Sequence, residues 1–333
     1  MTSHPKPLQA SLAGIGVSLS VHSLLIFNGS VLGVSGLLHR SVRGDSEAAI
    51  GVLGLVLSGI IVGYLEPSGP LVLSTSFPST ILAGLLVGVG TRLANGCTSG
   101  HMIAGLSRFS RRSFVATMSF FSTAVIVTQI FHRENLPLSV DADWSLGGRT
   151  GHIHALITAL APLLLAVPRS NIFAKTWLPF SYKLLPRLNA FARSPLRSIT
   201  CLLTSFAFGI SLSLGNMVDP KRVLAFLVLP VSRTFDPTLA FLAGSALPLS
   251  IVLYRYARPD HPHLGEKWAI PSNTKIDARL VCGSIAFGIG WGVCGICPGP
   301  ALINFGRALY ACENITLSTI WLLSMILGGF LAD

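Results

Sequence analysis

The chain has 333 residues, of which 51% are hydrophobic and only 11% carry a formal charge. Soluble domains carry about 25% charged residues, so this composition excludes an ordinary soluble protein and indicates a polytopic membrane protein. The net charge of +11 comes from basic residues in a few short loops, as orientation signals do, which argues against a nucleic-acid-binding protein. Six cysteines lie mostly within apolar segments, a distribution that does not resemble a disulfide framework.

Apolar runs bounded by charged residues, proline or glycine predict an all-α fold of about nine transmembrane helices, at ~20 residues per span. In chain order the predicted spans are 11–27, 47–65, 78–95, 112–131, 152–168, 198–216, 238–255, 279–295 and 316–332. Four shorter apolar pieces lie between them, at 28–39, 98–109, 217–229 and 298–309. Each begins at a helix breaker and is too short to cross a membrane core of ~30 Å, so we expect four short re-entrant helices that line a pathway.

The distribution of lysine and arginine predicts the orientation of the spans. The loop Arg169–Arg197 contains six basic residues and no acid, which places it on the cytoplasmic side. Counting spans from this loop places the basic segments 40–43, 108–112 and 255–279 on the same side. The prediction is an N-terminus outside and a C-terminus inside.

Two glycine-and-cysteine signatures lie 200 residues apart in the chain. The first, GVGTRLANGCTSGH, starts at Gly88, and the second, GIGWGVCGICPGP, starts at Gly288. In each signature a cysteine follows nine positions after the first glycine, at Cys97 and Cys297. Spans one to four form one unit and spans six to nine a second, and the two units are offset by five spans. Because five is odd, the units have opposite orientations in the membrane, which predicts an inverted repeat.

This interpretation divides the chain into three parts. Residues 1–150 form the first membrane repeat, residues 151–197 form a connecting helix and a basic cytoplasmic linker, and residues 198–333 form the second, inverted repeat. A pseudo-two-fold axis in the membrane plane is then expected to bring Cys97 and Cys297 to opposite faces of one central site. Only the signatures, and not the full halves, are visibly similar.

The residues after each cysteine end one helix and are suited to start another. Thr98 and Ser99 are common N-cap residues, and Pro298 fits a first helical turn. A helix N-terminus presents free N–H groups that attract small anions, and a neutral thiol adds a weak, polarisable donor. The signatures therefore predict a pathway for a small, soft, sulfur-containing anion, formed by Gly96, Cys97, Thr98, Ser99, Gly100, His101, Cys294, Cys297, Pro298 and Gly299.

Several of these residues have a second interpretation. Cys294 and Cys297 form C-x-x-C, a spacing found in redox and metal sites, but one pair cannot complete a zinc site and no second pair exists. Cys97 and Cys297 can alternatively form a structural disulfide. His101 is a functional candidate as a polar ring at membrane depth, or a group that caps or hydrogen-bonds locally.

The remaining cysteines, Cys201, Cys282 and Cys312, are expected to be small buried hydrophobic residues. Arg307 lies in the pathway or marks the outer membrane interface. We expect no bound metal ion and no cofactor.

GCTSGHMIAGLSRFSRRSF (Gly96–Phe114) resembles the hallmark of the YeeE/YedE family, the sulfur-transport domain family, whose bacterial members include thiosulfate uptake proteins. LIFNGSVLGVSG (Leu25–Gly36) is similar to the opening of its short members. In the second half, NMVDPKRVLAFL, FDPTLAFLAGSALP and GIGWGVCGICPGPAL resemble the partner protein that some bacteria encode separately. The chain therefore looks like a fusion of the two.

The resemblance implies nine spans with four short re-entrant helices in pseudo-symmetric halves, and thiosulfate-type transport in which central thiols contact the ion. It assigns this contact to Cys97 and Cys297. Thiosulfate-transporting members use a third cysteine in the first half, and this chain has none before Cys97. Ser35, in the first re-entrant piece, can offer a hydroxyl in its place.

We therefore predict a membrane transporter, not an enzyme, with thiosulfate as the first candidate. Its partners are a small inorganic sulfur anion and the lipid bilayer, with no nucleic acid. The chain has no nucleotide-binding motif, so passive or secondary transport is expected. Integral, multi-pass location in the plasma membrane is the default prediction, with an organelle membrane as the alternative.

Three alternatives remain beside this prediction. The first is an exporter or channel for sulfite or sulfide-derived species. The second is a membrane sulfurtransferase that carries a persulfide on cysteine and passes the sulfur to a cytosolic acceptor. The third is an anchoring protein without flux, which the cost of broken helices and polar groups in lipid argues against.

Overall fold

The computed structural model describes residues 2–66, 76–133, 136–147, 151–152, 190–265 and 267–333. Over these residues the chain is almost entirely helical, with eleven α-helices: α1 (Pro7–Asn28), α2 (Val34–Ser41), α3 (Ser46–Leu65), α4 (Phe77–Ala94), α5 (Arg111–Phe131), α6 (Ala190–Leu214), α7 (Pro220–Leu227), α8 (Thr238–Tyr256), α9 (Ala278–Cys294), α10 (Pro298–Ala311) and α11 (Ile315–Leu331). This content confirms the predicted all-α class.

Short elements fill the connections between these helices. A π-helical turn (Ser99–Ile103) and a 3₁₀ turn (Leu106–Arg108) lie between α4 and α5, where the second half has the continuous helix α10. Two strands of two residues each, β1 (Thr2–Ser3) and β2 (Leu138–Ser139), pair in parallel. This pairing fastens the N-terminal segment to the loop after α5.

Several helices begin where the sequence supplies a side-chain cap. Asp45 accepts a hydrogen bond from the Ala48 amide at the start of α3, and Asp277 accepts one from the Leu280 amide at the start of α9. The bond from Leu280 lowers the pKa of the Asp277 carboxyl below its ordinary value. Such caps satisfy backbone N–H groups that have no partner within the helix, so these helices have well-defined first turns.

Seven helical segments among the described residues are long and apolar enough to cross a membrane. Two of the seven are broken segments, Phe77–Ile103 and Ala278–Ala311, which contain the two signatures. The last helix, α11, is apolar but has only 17 residues. Eight of the nine predicted spans coincide with helices, and the predicted span 152–168 lies outside the described residues apart from His152, so the count of nine stays a prediction.

The loops predicted to share one side of the membrane meet at one end of the bundle. There Arg43 and Arg92 both pair with the side-chain carboxylate of Asp333. The N-terminal strand, the loop after α5 and the loop before α8 meet at the other end, where the Ser139 amide donates to the Arg233 carbonyl over 3.1 Å. This grouping of the loops agrees with the predicted topology.

The contacts between helices pair off between the first and second halves of the chain. Helix α4 packs against α9 and α11, and α9 packs in turn against α4 and α5. Helix α1 packs against α8 as α3 packs against α6, and α1 meets α6 directly. Helix α10 of the second half packs against α3 of the first. Correspondingly, the turn Leu106–Arg108 of the first half packs against α8 of the second. Each of these contacts thus has a counterpart with the halves exchanged, as a two-fold relation between the halves requires.

Glycines of the two signatures form the crossing of α4 and α9. A Cβ on Gly90 would lie 2.6 Å from the carbonyl oxygen of Gly283, and a Cβ on Gly290 would lie 2.7 Å from that of Ala83. Both neighbours are backbone atoms, which cannot move aside as a flexible side chain can. The glycines therefore let the two helices approach more closely than any other residue would allow.

Candidate functional site

Each signature helix breaks two residues before its cysteine. Helix α4 is followed by Asn95 and α9 by Gly295, and both residues are left-handed, with φ of 59° and 68°. Glycine adopts this conformation without strain, and asparagine tolerates it better than most residues. The two breaks are 200 residues apart, as the cysteines are, so the same register in the sequence produces the same break in both halves.

Cys97 and Cys297 line one small chamber between the two breaks. Their exposed fractions are 1% and 4%. The space open to the centre of a water molecule is about 20 Å³, and on that measure one water needs about 10–15 Å³. The other lining residues are Val17, Val34, Thr98, Ser99, Met102, Ile103, Phe208, Leu212, Met217, Leu242, Gly299 and Pro300. The structure thus joins both cysteines with three more of the predicted pathway residues in one small, mostly apolar chamber.

Two hydroxyl groups of the first signature engage other elements of the fold. Thr98 Oγ1 donates to the Sγ of Cys297 over 3.6 Å. Ser99 Oγ accepts from the Val34 amide at the start of α2 over 3.1 Å, and it lies 3.2 Å from the Sγ of Cys97. The expectation that Thr98 and Ser99 cap the turn that follows them is therefore wrong, since neither hydroxyl bonds to that turn's amides.

The N-terminus of α10 offers fewer N–H groups than a helix start normally does. Pro298 and Pro300 occupy its first and third positions and have no N–H, and the Ala301 amide bonds to the Cys297 carbonyl over 3.0 Å. Within this first turn only the Gly299 amide remains, and it donates to the Cys297 sulfur. The expectation of several free amides is thus wrong for α10, because two prolines remove them, and the Cys297 thiol becomes the main polar group at this end of the helix.

His101 lies next to the break that follows α4, and both of its ring nitrogens are hydrogen bonded. Nε2 is 3.1 Å from the carbonyl oxygen of Ala94, and Nδ1 is 3.1 Å from the Oγ of Ser113. Because a carbonyl only accepts, Nε2 carries the proton and Nδ1 accepts from the Ser113 hydroxyl. The ring caps the last turn of α4, ties it to α5 and packs on Gly96, where an added Cβ would lie 2.9 Å from it.

Replacing His101 by alanine is expected to destabilise the protein by about 1–3 kcal/mol, because the Ala94 carbonyl and the Ser113 hydroxyl lose a buried partner. Thermal unfolding of the detergent-solubilised protein measures this loss. His4→Ala is the control, since His4 makes an exposed contact to the Asp141 carbonyl and its loss should have little effect. An unchanged melting temperature in His101→Ala, together with lost transport, would assign the ring to the pathway and not to the cap.

A larger cavity opens at the end of the bundle that carries the basic loops. We call it the vestibule; its volume on the same measure is about 310 Å³. Its lining residues are Val31, Gly33, Ser35, Gly36, His39, Arg40, Arg43, Thr91, Arg92, Asn95, Gly96, Gly100, His101, Arg108, Ser110, Arg112, Ser113, Pro271 and Asn273. Four predicted pathway residues, Ser35, Gly96, Gly100 and His101, therefore face the vestibule, while the cysteines face the chamber.

Cys294 lines neither of these cavities. Its thiol donates to the Gly290 carbonyl over 3.3 Å and accepts from the indole Nε1 of Trp321 over 3.4 Å. The structure therefore places Cys294 at the end of α9, in contact with Trp321 of α11. Pro298, the remaining predicted residue, is buried at the start of α10.

All six cysteines are free thiols, so Cys97 and Cys297 do not form the disulfide considered above. Cys201 is buried as expected, whereas Cys282 and Cys312 are exposed. The expectation of burial is wrong for these two because α9 turns Cys282 to its outer surface and Cys312 follows the end of α10. In the part of the chain that the structure describes, no three His, Cys, Asp or Glu side chains cluster as a metal site would require.

Arg307 lies on α10 at the end of the bundle opposite the vestibule. It is only 2% exposed, and its Nη2 donates to the Glu66 carbonyl over 3.0 Å. Arg307 therefore joins α10 to the end of α3.

Sequence interpretation missed the apolar side chains that close the chamber, among them Met102, Phe208 and Leu212. No sequence signal marks them, because apolar residues are the background of every membrane helix. It also treated basic residues such as Arg40 and Arg108 only as orientation signals, although both line the vestibule. Their shared position depends on loops that are distant in the chain.

Two protein families match separate parts of the chain. Residues 8–126 match a family described as Sulphur transport. Residues 196–331 match a second family, described as a family of unknown function (DUF6691). The two matches contain one signature each.

Curated relatives of the chain are named as transporters. A protein named "Probable transporter" from Xylella fastidiosa (strain 9a5c) is 45% identical over 112 residues, which are 33% of this chain and 83% of that protein. A "Probable transporter" from Xylella fastidiosa (strain Temecula1 / ATCC 700964) is 40% identical over 125 residues, 37% of this chain and 82% of that protein. The chain is thus similar, over about a third of its own length, to most of the length of these shorter proteins.

Proposed function

The chain belongs to the sulphur transport family, and we propose that this multi-pass integral membrane protein is a transporter of a small sulfur-containing anion, with thiosulfate as the first candidate. The observation that carries the proposal is the meeting of two thiols, Cys97 and Cys297, at one buried chamber. They come from separate signatures 200 residues apart, each at a break in a membrane helix.

The proposed architecture has nine spans and four short re-entrant helices in two inverted repeats, 1–150 and 198–333, joined by 151–197. The separate family matches to 8–126 and 196–331 support this division. The exchange of partners between helices of the two halves supports a two-fold relation between them. The end of α1 bonds near the start of α6, Asn28 to the Arg197 carbonyl, which supports the inverted sense of this relation. Two matches of this kind also fit the fusion of two shorter proteins.

The chamber offers an anion soft donors in an apolar setting. Thr98 donates to the sulfur of Cys297, so the thiol proton of Cys297 is free to point towards an ion. Cys97 holds the corresponding position in the other signature, next to Ser99. Donors joined in a chain polarise one another, which strengthens the final bond to the ion. A neutral thiol suits the terminal sulfur of thiosulfate because both atoms are polarisable.

Passage of an ion requires the chamber to open, because in this conformation it has room for one water. Met102, Phe208 and Leu212 are among the apolar side chains that line it. A small shift of these side chains, or of the helices that carry them, would admit an ion from one end at a time. This is the behaviour expected of a site placed between two inverted halves.

A sulfurtransferase would need a cysteine that an acceptor can reach. Cys97 and Cys297 are almost fully buried inside the bundle, which favours the passage of a small ion over transfer to a larger acceptor. Mass spectrometry after incubation with thiosulfate separates the two functions. A persulfide on either cysteine would favour the transferase, and unmodified thiols would favour transport.

Uptake of sulfur-labelled thiosulfate into proteoliposomes tests the proposed function. We expect saturable uptake by the wild-type protein and none by empty liposomes. Unlabelled sulfite and sulfide, added in turn as competitors, identify the preferred species. Correctly folded protein without uptake of any of these ions would overturn the proposal.

Replacing Thr98 by valine is expected to slow thiosulfate uptake by about tenfold, because the isosteric side chain no longer donates to the Cys297 sulfur. Initial rates of uptake at equal protein density measure the effect. Thr123→Val is the matched control, since Thr123 donates only to the Ser119 carbonyl of its own helix. Equal rates in both variants would contradict a role for the Thr98 hydroxyl.

A further inference from the structure

The vestibule is lined by five arginines, and no described lining residue is acidic. The arginines come from separate parts of the chain: Arg40, Arg43, Arg92, Arg108 and Arg112. A cavity walled by one sign of charge focuses the electrostatic field and concentrates ions of the opposite sign. The lining of the vestibule is therefore suited to attract anions.

Acids behind the lining neutralise part of this charge. Asp45 pairs with Arg40 over 3.2 Å, and Asp277 lies 3.7 Å from Arg112. The Asp333 side chain serves two arginines, as described above. Three side-chain carboxylates thus face five guanidinium groups, and the vestibule keeps an excess of positive charge.

Arg108 holds the least compensated of these charges. Its guanidinium donates to the carbonyls of Ala104 over 2.8 Å and Pro271 over 3.4 Å. No described acid lies within ion-pair distance of it. Carbonyls orient a guanidinium without cancelling its charge, so Arg108 is held in place with donors left for an ion.

Bare backbone and small polar side chains complete the lining. A Cβ added to Gly33, Gly36 or Gly100 would meet no atom within 4 Å, so these glycines border empty space. Ser35 and Ser110 add hydroxyl groups. The wall therefore combines positive charge with short neutral donors and leaves room for an ion close to the backbone.

The positive lining is confined to one half of the pseudo-symmetric frame. Positions 200 residues beyond Arg92 and Arg108 are Gly292 and Ala308, and both are buried in helix packing. The two signatures match in register, and the first is followed by a cavity lined by arginines. Packing of the repeat does not by itself require these arginines. As orientation signals they need only lie at this end of the bundle, whereas five of them line one cavity.

We propose that the vestibule is a binding site for a small divalent oxyanion, which holds the ion outside the thiol chamber. This inference rests on the proposed function, since the ion is the transported one. Val34 lines the chamber, and its neighbour Ser35 lines the vestibule. In the same way Ser99 lines the chamber and Gly100 lines the vestibule. One layer of backbone therefore separates the two spaces, and an ion in the vestibule waits next to the chamber.

The test measures binding separately from transport. Sodium thiosulfate is titrated by calorimetry into purified full-length protein that carries Cys97→Ala and Cys297→Ala, so that the chamber thiols are absent. We expect binding to persist in this variant. Adding Arg108→Gln should weaken it about tenfold or more, since the charge-assisted hydrogen bonds from the guanidinium to the ion are lost. Adding Arg111→Gln, which changes an exposed neighbour outside the lining, should not.

A second pair of variants tests the cavity without removing charge. Gly36→Leu places a side chain into the vestibule where no atom opposes it, and Gly244→Leu makes the same change on α8, also with no atom within 4 Å. We expect Gly36→Leu to lose thiosulfate binding and Gly244→Leu to keep it. Both variants should elute as monodisperse protein, which separates occlusion from misfolding.

The variant Asp333→Asn is expected to raise the affinity for thiosulfate, whereas Arg108→Gln should lower it. Removing the carboxylate that pairs with Arg43 and Arg92 frees both guanidinium groups, so thiosulfate should bind several-fold more tightly. A role of these residues in packing alone would not produce tighter binding. Unchanged or weaker binding in Asp333→Asn would contradict the electrostatic basis of the site.

Anionic lipid headgroups share the chemistry of the ion and are distinguished by a further comparison. Nanodiscs of neutral lipid and nanodiscs that contain anionic lipid should give the same thiosulfate affinity. A markedly lower thiosulfate affinity in the nanodiscs with anionic lipid would mean that lipid headgroups occupy the vestibule, and it would overturn the proposal. Binding that survives Arg108→Gln, or that disappears with the two cysteines, would also overturn it. Absent uptake with intact vestibule binding would count against the proposed function alone.

Discussion

Replacing either Cys97 or Cys297 by alanine is expected to reduce thiosulfate uptake to less than about one tenth of the wild-type rate, because each change removes a donor that faces the ion in an otherwise apolar chamber. The chamber has few polar groups to compensate, since most of its lining is apolar. The two variants should fail alike, because the thiols occupy corresponding positions in the two signatures. Initial uptake rates in proteoliposomes measure both effects.

Cys282→Ala is the matched control for these variants. Cys282 lies on α9, the helix in which the second signature begins, but it is exposed on the outer surface of the bundle. Its replacement should leave uptake unchanged. Normal uptake in both Cys97→Ala and Cys297→Ala, with the protein folded, would remove the thiols from the pathway. Loss in only one of them would mean that the two halves contribute unequally.

Replacing Gly90 by leucine is expected to destabilise the protein by more than about 3 kcal/mol, because even its Cβ would overlap the backbone of α9. The carbonyl oxygen of Gly283 lies 2.6 Å from that Cβ position, and the Phe287 amide is also in contact. Relief requires α4 and α9 to separate along the crossing that supports both breaks. Thermal unfolding in detergent should show a large fall in melting temperature or no folded protein.

Gly290→Leu should have a similar effect, since its Cβ would meet the Ala83 carbonyl of α4 from the other side. Gly244→Leu is the control, because the same change on α8 meets open space. A Gly90→Leu protein as stable as Gly244→Leu would contradict the close crossing of α4 and α9. Equal effects of Gly90→Leu and Gly290→Leu would support the two-fold relation between the signatures.

The helices could be predicted from the sequence because a membrane imposes their length and apolar character. The predicted span 47–65 corresponds to α3 (Ser46–Leu65), and 238–255 corresponds to α8 (Thr238–Tyr256). The bounds agree since charged residues, caps and prolines end these helices locally. The largest difference from a predicted boundary is at α6. This helix begins at Ala190, inside the region predicted as a basic linker, whereas the predicted span begins at residue 198.

The candidate site could be predicted only in part. The shared register of Cys97 and Cys297 predicted that the two breaks correspond, and the structure places both thiols on one chamber. The partners of Thr98 and His101 could not be predicted, because Cys297 and Ser113 reach them through the packing of other helices. Sequence proximity likewise placed Cys294 in the pathway, although its thiol packs against Trp321.

The sequence by itself determined that this is an all-α membrane protein with two cysteine-bearing breaks, because length, apolar runs and glycine or proline positions act locally along the chain. Only the tertiary structure decided which polar groups share a cavity. It separated the thiol chamber from the vestibule and gathered Arg43, Arg92 and Arg108 around the latter. The physical reason is that charge and hydrogen bonding act over a few ångströms in space, and those distances arise only when distant helices pack together.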